Sequence, residues 1–147
     1  MKITRAIDIL LIEDNPNDVE LTLLALKSNK LAEKIQVIRD GEEALEYLFC
    51  TGSYASRDQS DLPRLILLDL KLPKVGGIEV LEKIKSDNHL KLVPVVVLTT
   101  SKVERDLIQS YHLGVNSYIV KPVDYQMFIS IIAEISQYWL SANELPN

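Results

Sequence analysis

An uninterrupted aliphatic run, Leu65-Ile66-Leu67-Leu68, is the feature that most constrains the fold of this chain. A strand with one face in water would alternate apolar and polar residues, whereas a strand covered on both faces stays apolar throughout. The run therefore predicts a central parallel strand. Asp69 follows it directly, and in open α/β sheets ligands bind beyond the carboxyl ends of the strands. An isolated aspartate at such a place more often caps a turn, so other residues must decide its role.

Four other segments have the composition of strands, and a helical pattern follows each of the five. These segments are rich in Ile, Leu and Val, and they span residues 7–12, 35–38, 94–99 and 117–120. Asn15 and Pro16 are a favourable N-cap and first helical residue, and Gly76-Gly77 is a turn signal before another helix. The last helix is predicted from about Tyr125 to Leu140.

The alternation of strands and helices predicts right-handed crossovers, and hence a parallel sheet with helices on both faces. The first, third and fourth strands are the richest in aliphatic residues and are predicted to be central, whereas the shorter strand at Ile35 is predicted at an edge. This arrangement matches the flavodoxin-like strand order 2-1-3-4-5. The predicted fold class is a flavodoxin-like (βα)5 α/β sandwich of three layers.

Size, charge and cysteine content limit the class of protein. The chain has 147 residues, which is ordinary for one domain, so a single domain over residues 1–147 is expected. A formal net charge of -5 with no basic block argues against direct nucleic-acid binding. The single Cys50 cannot form an intramolecular disulfide, and neither a signal peptide nor a membrane-length apolar run is present. A cytoplasmic protein is expected.

Chemically active side chains follow four of the predicted strands at the same end of the sheet. They are Glu13 and Asp14 after the first strand, Asp69 after the third, Thr99 at the end of the fourth and Lys121 after the fifth. Three close carboxylates repel one another unless a cation or a proton intervenes. Mg²⁺ prefers oxygen ligands, one or two of them carboxylates, so a site with Asp14, Asp69 and Glu13, the last through water, is predicted.

Asp69 is the best candidate for a nucleophile, because its strand is the most buried and the most central of the sheet. A carboxylate can accept a phosphoryl group and form an aspartyl phosphate. The protein then mainly neutralises charge on the phosphoryl oxygens. Mg²⁺, the Lys121 ammonium and the Thr99 hydroxyl with backbone amides are predicted to bind one oxygen each.

Four motifs resemble the receiver domains of two-component response regulators. They are Leu11-Ile12-Glu13-Asp14-Asn15, Leu68-Asp69-Leu70-Lys71-Leu72-Pro73 with Gly76-Gly77, Leu98-Thr99-Thr100-Ser101 and Tyr118-Ile119-Val120-Lys121-Pro122. The resemblance implies an acidic metal-binding pair, a phospho-acceptor, a metal-binding backbone carbonyl, a switch hydroxyl, a switch aromatic ring and a phosphate-binding lysine. In that order these are Glu13 with Asp14, Asp69, Lys71, Thr99, Tyr118 and Lys121.

The same resemblance carries three finer expectations. The Lys121–Pro122 bond is expected to be cis. Lys71 and Ser101 occupy positions that modulate hydrolysis of the phosphoryl group. A phosphoryl oxygen would give the Thr99 hydroxyl a partner that it lacks in the free protein, and Tyr118 would then turn toward the sheet.

A narrower resemblance concerns the segment 15–20 and the polar insertion 51–63. Both are similar to small single-domain regulators that partner phytochrome histidine kinases of cyanobacteria and other bacteria. The resemblance implies a sensor histidine kinase, of the phytochrome type, as the partner. The chain ends about seven residues after the predicted last helix, so no output domain is expected and output would pass through contact with another protein.

Three other classes of protein are alternatives. A phosphatase of the haloacid dehalogenase type needs a second aspartate two positions after the acceptor, where this chain has Lys71. A flavodoxin needs a hydroxyl- and glycine-rich loop after the first strand, where the acidic segment 13–18 would repel a phosphate. A pseudo-receiver, which binds partners without phosphorylation, remains open.

The last helix is apolar around more of its circumference than one sheet can cover. Beyond a stripe of Phe128, Ile131, Ile132 and Ile135, further apolar residues lie off the stripe: Tyr125, Met127, Ile129, Tyr138, Trp139 and Leu140. A two-fold homodimer through this helix is the simplest cover, since isologous pairing is the commonest arrangement. The alternative is that Tyr138 and Trp139 fold back on their own domain.

Overall fold

A parallel sheet of five strands forms the centre of the molecule. The computed structural model describes residues 7–30, 32, 34–100 and 103–144. The strands are β1 (Ile9–Ile12), β2 (Ile35–Ile38), β3 (Leu65–Leu68), β4 (Val95–Thr99) and β5 (Ser117–Val120). Their order is β2-β1-β3-β4-β5, and every neighbouring pair is parallel. The predicted order and fold class are confirmed.

Burial follows the predicted distinction between central and edge strands. Every residue of β1, β3 and β4 is buried, whereas β5 is half-buried throughout and β2 is half-buried except at Ile38. The continuous aliphatic runs therefore correspond to strands that are covered on both faces. Asp69 is thus delivered by the middle strand of the sheet.

Helices cover both faces of the sheet. They are α1 (Pro16–Ser28), α2 (Gly41–Phe49), α3 (Gly77–Ser86), α4 (Glu104–Leu113) and α5 (Tyr125–Gln137). The odd-numbered residues of β1 and β3, such as Ile9 and Leu65, pack with α1 and α5, while their even-numbered residues, such as Leu10, pack with α2 and α3. Alternation of side chains along each strand thus separates the two apolar layers. No helix in the described ranges is long and apolar enough to cross a membrane.

Local caps fix where α1 and α2 begin, as the sequence predicts for α1. The Asn15 side-chain oxygen accepts hydrogen bonds from the backbone N–H groups of Asn17 and Asp18 at 2.9 and 3.1 Å, and Pro16 is the first helical residue. The Asp40 carboxylate accepts from the Glu43 N–H at 2.7 Å. The start of α1 is therefore held directly after Glu13 and Asp14.

The end of the last helix differs from the prediction of a single helix to Leu140. The α-helix stops at Gln137 and continues as a π-helical turn over Tyr138–Ala142. This wider turn changes the direction of the side chains that follow. Leu140 is buried in the α1/α5 layer, and its carbonyl accepts a hydrogen bond from the Arg64 guanidinium. The expectation that Leu140 adds exposed apolar surface is wrong.

The segment 51–63 is a surface loop, as predicted, but it is anchored to α2. It contains one short 3₁₀ turn, Gly52–Tyr54. The Tyr54 hydroxyl lies 2.9 Å from a Glu43 carboxylate oxygen, and the Arg57 guanidinium stacks 3.9 Å above the centre of the Tyr47 ring. These contacts hold the insertion against the outer side of α2.

Candidate functional site

Three carboxylates converge where β1 and β3 end. One oxygen from each of Glu13, Asp14 and Asp69 lies within 4.8 Å of the others. The register of the two strands pairs Ile12 with Leu68, so the residues that follow them are neighbours. Glu13 and Asp69 are buried, whereas Asp14 is exposed. The structure therefore brings together the three acidic residues that the sequence placed at this edge.

Lys121 joins this cluster from the end of β5. Its backbone N–H donates to the Thr99 carbonyl at 2.7 Å, which directs the chain across the end of β4. Its ammonium lies 2.5 Å from Glu13, 2.8 Å from Asp18 and 3.1 Å from Asp69, and its side chain is only 5% exposed. One ammonium therefore holds three carboxylates.

Asp18 is a member of the site that the sequence analysis missed. A negative charge in the first turn of a helix is favourable on its own, so this position did not call for a further role. Because α1 begins at the sheet edge that carries the acidic pair, a carboxylate in that turn points to the same cluster. A carboxylate in the first turn of a helix that follows a strand-end acidic pair was the signal available in the sequence.

The acidic groups influence one another's protonation. Burial, reinforced by the adjacent Asp69 carboxylate, raises the pKa of Glu13 to about 8 despite the opposing effect of Lys121. Burial also acts to raise the pKa of Asp69, but interactions with Glu13, Lys121, Thr99 and the Lys71 N–H lower it overall. The opposite directions of the two pKa shifts favour the ionised form of Asp69 and the protonated form of Glu13.

Lys121 remains charged in this environment. Burial alone would lower its pKa, but hydrogen bonds to Asp18 and Glu13 and the charge of Asp69 raise it above the usual range of a lysine. The cluster nevertheless carries more acidic groups than one ammonium can neutralise. Such a surplus is relieved by a proton or by a cation.

The donor set fits a hard divalent cation. Mg²⁺ and Mn²⁺ favour carboxylate oxygens, and the cluster of Glu13, Asp14 and Asp69 offers three of them, one on the exposed side where the ion and its waters can enter. The raised pKa of Glu13 indicates a position where a cation can replace a proton. The residues present therefore suit a metal site.

Comparison with known proteins identifies the family. The model of the response regulator receiver domain matches residues 9–133, which is most of the chain. This chain belongs to the response regulator receiver family. The family assignment removes the haloacid dehalogenase and flavodoxin alternatives, and the shared fold includes the strand order described above.

Several relatives of this receiver are known. It is 43% identical over 139 residues to the probable methanogenesis regulatory protein FilR2 of Methanothrix harundinacea, covering 94% of this chain and 86% of that protein. It is 42% identical over 138 residues to the response regulator Rcp1 of Synechocystis sp., covering 94% of this chain and 92% of that protein. The crystal structure of the phosphorylated cyanobacterial phytochrome response regulator RcpA has 45% identity and a TM-score of 0.88, with 96% of this chain and 99% of RcpA covered.

The predicted switch residues of the receiver occupy different environments. Thr99 is buried at the end of β4, and its hydroxyl already interacts with the Asp69 carboxylate through a hydrogen bond. The expectation that this hydroxyl lacks a partner in the free protein is therefore wrong, because the unmodified carboxylate itself is the acceptor. Tyr118 is half-buried in β5 and packs against the α2/α3 layer.

The loop between β3 and α3 is held by short backbone contacts. The Lys71 N–H donates to the Asp69 carboxylate at 3.2 Å, and the Gly77 N–H donates to the Leu70 carbonyl at 2.9 Å. The start of α2 also supports the loop, because the Gly41 N–H donates to the Pro73 carbonyl at 3.2 Å. The loop that carries the Lys71 carbonyl is thereby fixed next to Asp69.

One expectation of the resemblance is wrong, and another falls outside the structure. No cis peptide bond occurs in the described ranges, so the Lys121–Pro122 bond is trans, the isomer that X–Pro bonds favour intrinsically. The Lys121 ammonium reaches the carboxylates in this isomer. Ser101 lies outside the described residues.

The residues predicted at a dimer contact are divided between the interior and the surface. Ile129 and Trp139 are half-buried and pack on the α1/α5 layer of their own domain. Tyr138 is 54% exposed, and its ring meets the Trp139 ring edge-on at 5.0 Å. Tyr125 and Met127 are also exposed.

Proposed function

We propose that this receiver accepts a phosphoryl group on Asp69 in a Mg²⁺-dependent reaction and that the modification changes its contacts with other proteins. The observation that carries the proposal is the ionised Asp69 carboxylate, held between an acidic pair and the Lys121 ammonium. In the reaction, an Asp69 oxygen forms a bond to phosphorus while the bond from phosphorus to the donor breaks. The donor retains the bonding electrons: the imidazole of a phosphohistidine takes up a proton as it leaves, whereas acetyl phosphate releases acetate as the anion.

The chain's own residues supply most of what this reaction needs. Glu13, Asp14, Asp69 and the Lys71 backbone carbonyl would hold Mg²⁺, which neutralises charge on the phosphoryl oxygens. Lys121 supplies a second positive charge at 3.1 Å from the acceptor carboxylate. The Thr99 hydroxyl, which is hydrogen-bonded to the Asp69 carboxylate, is positioned to donate to a phosphoryl oxygen once that carboxylate is modified. The binding of Mn²⁺ by the related Rcp1 supports the assignment of the metal site.

The proposed physiological donor is the phosphohistidine of a sensor histidine kinase of the phytochrome type. RcpA, a phytochrome response regulator, supports this partner at 45% identity. FilR2, the probable methanogenesis regulatory protein, is equally similar to this chain, so sequence similarity alone does not select the kinase. Transfer of a phosphoryl group from a purified phytochrome-type kinase to this chain is therefore the experiment that tests the partner. Residues 1–147 are proposed to act as one receiver domain, without turnover of external substrates beyond transfer to Asp69 and loss of that phosphoryl group.

A small phosphodonor tests the proposed chemistry directly. With acetyl phosphate and Mg²⁺, intact mass should show one added phosphoryl group, and chelation of the metal should abolish it. The alternative is a pseudo-receiver that binds partners without phosphorylation. An unchanged mass at saturating donor and Mg²⁺ would select that alternative.

Thr99 and Tyr118 are proposed to transmit the modification rather than to perform it. Once phosphoryl oxygens replace the carboxylate as the partner of the Thr99 hydroxyl, the end of β4 should shift and Tyr118 should change its packing. Thr99→Ala should still be labelled by acetyl phosphate but should lose the phosphorylation-dependent change in hydrogen exchange around Tyr118. A wild-type exchange response in this variant would contradict the coupling. Thr100→Ala, at the exposed neighbouring position, is the matched control.

A homodimer through the last helix is proposed, with Tyr138 as its central contact. Ile129 and Trp139 also belong to the predicted contact, but their packing inside the domain makes Trp139→Ala and Ile129→Glu less selective tests. Sedimentation at micromolar concentration should show a dimer that Tyr138→Ala weakens. Glu79→Gln, at an exposed position of α3 on the opposite face of the sheet, is the control. A monomer with and without phosphodonor would exclude the dimer.

A further inference from the structure

The three carboxylates around Lys121 are not equivalent. Glu13 and Asp69 belong both to the set that contacts the ammonium and to the cluster suited to a metal ion. Asp18 contacts the ammonium at 2.8 Å but is not a member of that cluster. Its only described charged partner in the site is therefore Lys121.

Metal binding and phosphorylation change the other two contacts. A cation held by this cluster would engage the carboxylates of Glu13 and Asp69, and the proposed phosphorylation would convert the Asp69 carboxylate into an acyl phosphate. We infer that Asp18 is a positioning residue that keeps the Lys121 ammonium directed at the phosphoryl group when Glu13 and Asp69 are engaged. The inference rests on the proposed phosphorylation of Asp69.

The first turn of α1 gives Asp18 a fixed base. Its N–H donates to the Asn15 side chain at 3.1 Å, and its carbonyl accepts from the Thr22 hydroxyl at 2.7 Å. Its side chain is 20% exposed, less accessible than the open mouth of the cluster at Asp14. These two hydrogen bonds fix the backbone from which the Asp18 carboxylate reaches Lys121, and neither of them involves a residue of the metal cluster.

The number of N–H donors on the Lys121 ammonium allows it to bind Asp18 and the phosphoryl group at the same time. A lysine ammonium has three N–H donors. One N–H group directed at Asp18 leaves two for phosphoryl oxygens. The ion pair with Asp18 in the first turn of α1 fixes the direction of these two N–H groups. Without the anchor, a flexible four-carbon side chain would have to be ordered during each transfer, which slows the reaction.

Two substitutions at this position separate geometry from charge. Asp18→Ala removes the anchor, and we expect the rate of labelling by acetyl phosphate at saturating Mg²⁺ to fall about tenfold or more. Asp18→Asn retains an oxygen that can accept from the ammonium, so it should recover much of the rate. Glu20→Ala, at an exposed position of the same helix, is the control and should match the wild type.

Two readouts distinguish positioning from a general loss of structure or of the metal. Mg²⁺ affinity, measured by titration without phosphodonor, should stay within about threefold of wild type in Asp18→Ala, since Asp18 lies outside the metal cluster. Beryllofluoride bound to Asp69 with Mg²⁺ serves as an analogue of the phosphoryl group. In this complex the NMR signal of the Lys121 ammonium protons should be protected from exchange with water in wild type and in Asp18→Asn, and it should be lost in Asp18→Ala.

The outcomes separate this inference from the proposed function. If the wild type is not labelled at all, the proposed function fails. If the wild type is labelled and Asp18→Ala matches it in rate and in the Lys121 signal, the positioning role alone is overturned. A loss of Mg²⁺ affinity in Asp18→Ala and Asp18→Asn beyond that range would also overturn it and would assign Asp18 to the metal site.

Discussion

Asp69→Asn should abolish phosphoryl incorporation under conditions that label the wild type completely. Asparagine has nearly the same shape as aspartate, and its carbonyl oxygen can still accept from the Lys71 N–H, which lies 3.2 Å from the Asp69 carboxylate. An amide oxygen is a far weaker nucleophile than the carboxylate it replaces, so the step that forms the bond to phosphorus is lost. Intact mass after incubation with acetyl phosphate and Mg²⁺ measures the effect directly.

The control for this experiment keeps the same chemical change away from the site. Asp58 lies exposed in the 51–63 loop, where its carboxylate caps Ser60 at 2.9 Å, so Asp58→Asn should be labelled like the wild type. Unreduced labelling of Asp69→Asn would show that another residue accepts the phosphoryl group. Because the buried cluster loses a surplus negative charge, Asp69→Asn should remain folded, which circular dichroism can verify.

The fold was largely predictable because the amino-acid composition of each strand indicates how deeply that strand is buried. The run Leu65–Leu68 has no polar residue, and the structure buries all four on both faces of the sheet. The shorter segment at Ile35 mixes in Gln36 and lies at the edge. Strand order then follows, since the most apolar strands need the most cover.

The candidate site was predictable only as far as strand ends determine it. Parallel strands deliver the residues after them to one edge, which brings Glu13, Asp14, Asp69 and Lys121 together. A carboxylate in the first turn of a helix indicates proximity to this edge, but the partner that its side chain reaches depends on how the helix packs. The ion pair of Asp18 with Lys121 was missed for this reason.

Side-chain partners inside the site were equally invisible to the sequence. Thr99 was expected to lack a partner, but its bond to Asp69 depends on the spacing of β3 and β4. The last helix gives a second example, since Leu140 is buried within the π-helical turn that follows Gln137. A prediction from hydrophobic periodicity assumes a regular α-helix, so it does not include a change to a π-helical turn.

Two adjacent glycines differ sharply in the space around them, so alanine substitutions at the two positions should differ in stability. A Cβ atom at Gly77 would lie 2.4 Å from the Asp69 carbonyl oxygen and 2.5 Å from the Leu70 Cα, whereas a Cβ atom at Gly76 would meet nothing within 4 Å. Both close atoms belong to the backbone of the acceptor loop, so they cannot move aside as a flexible side chain would. Gly77→Ala must therefore displace the loop that carries Asp69.

We expect Gly77→Ala to lower the free energy of unfolding by about 2–4 kcal/mol. Gly76→Ala should change it by less than about 1 kcal/mol, because its φ of -71° suits alanine and only the preference for glycine at an N-cap is lost. Urea denaturation followed by the fluorescence of Trp139, the single tryptophan, measures both variants. The displaced loop should also weaken Mg²⁺ binding in Gly77→Ala but not in Gly76→Ala. Equal unfolding midpoints for the two variants would show that the acceptor loop accommodates a methyl group and that its close packing on α3 does not fix the position of Asp69.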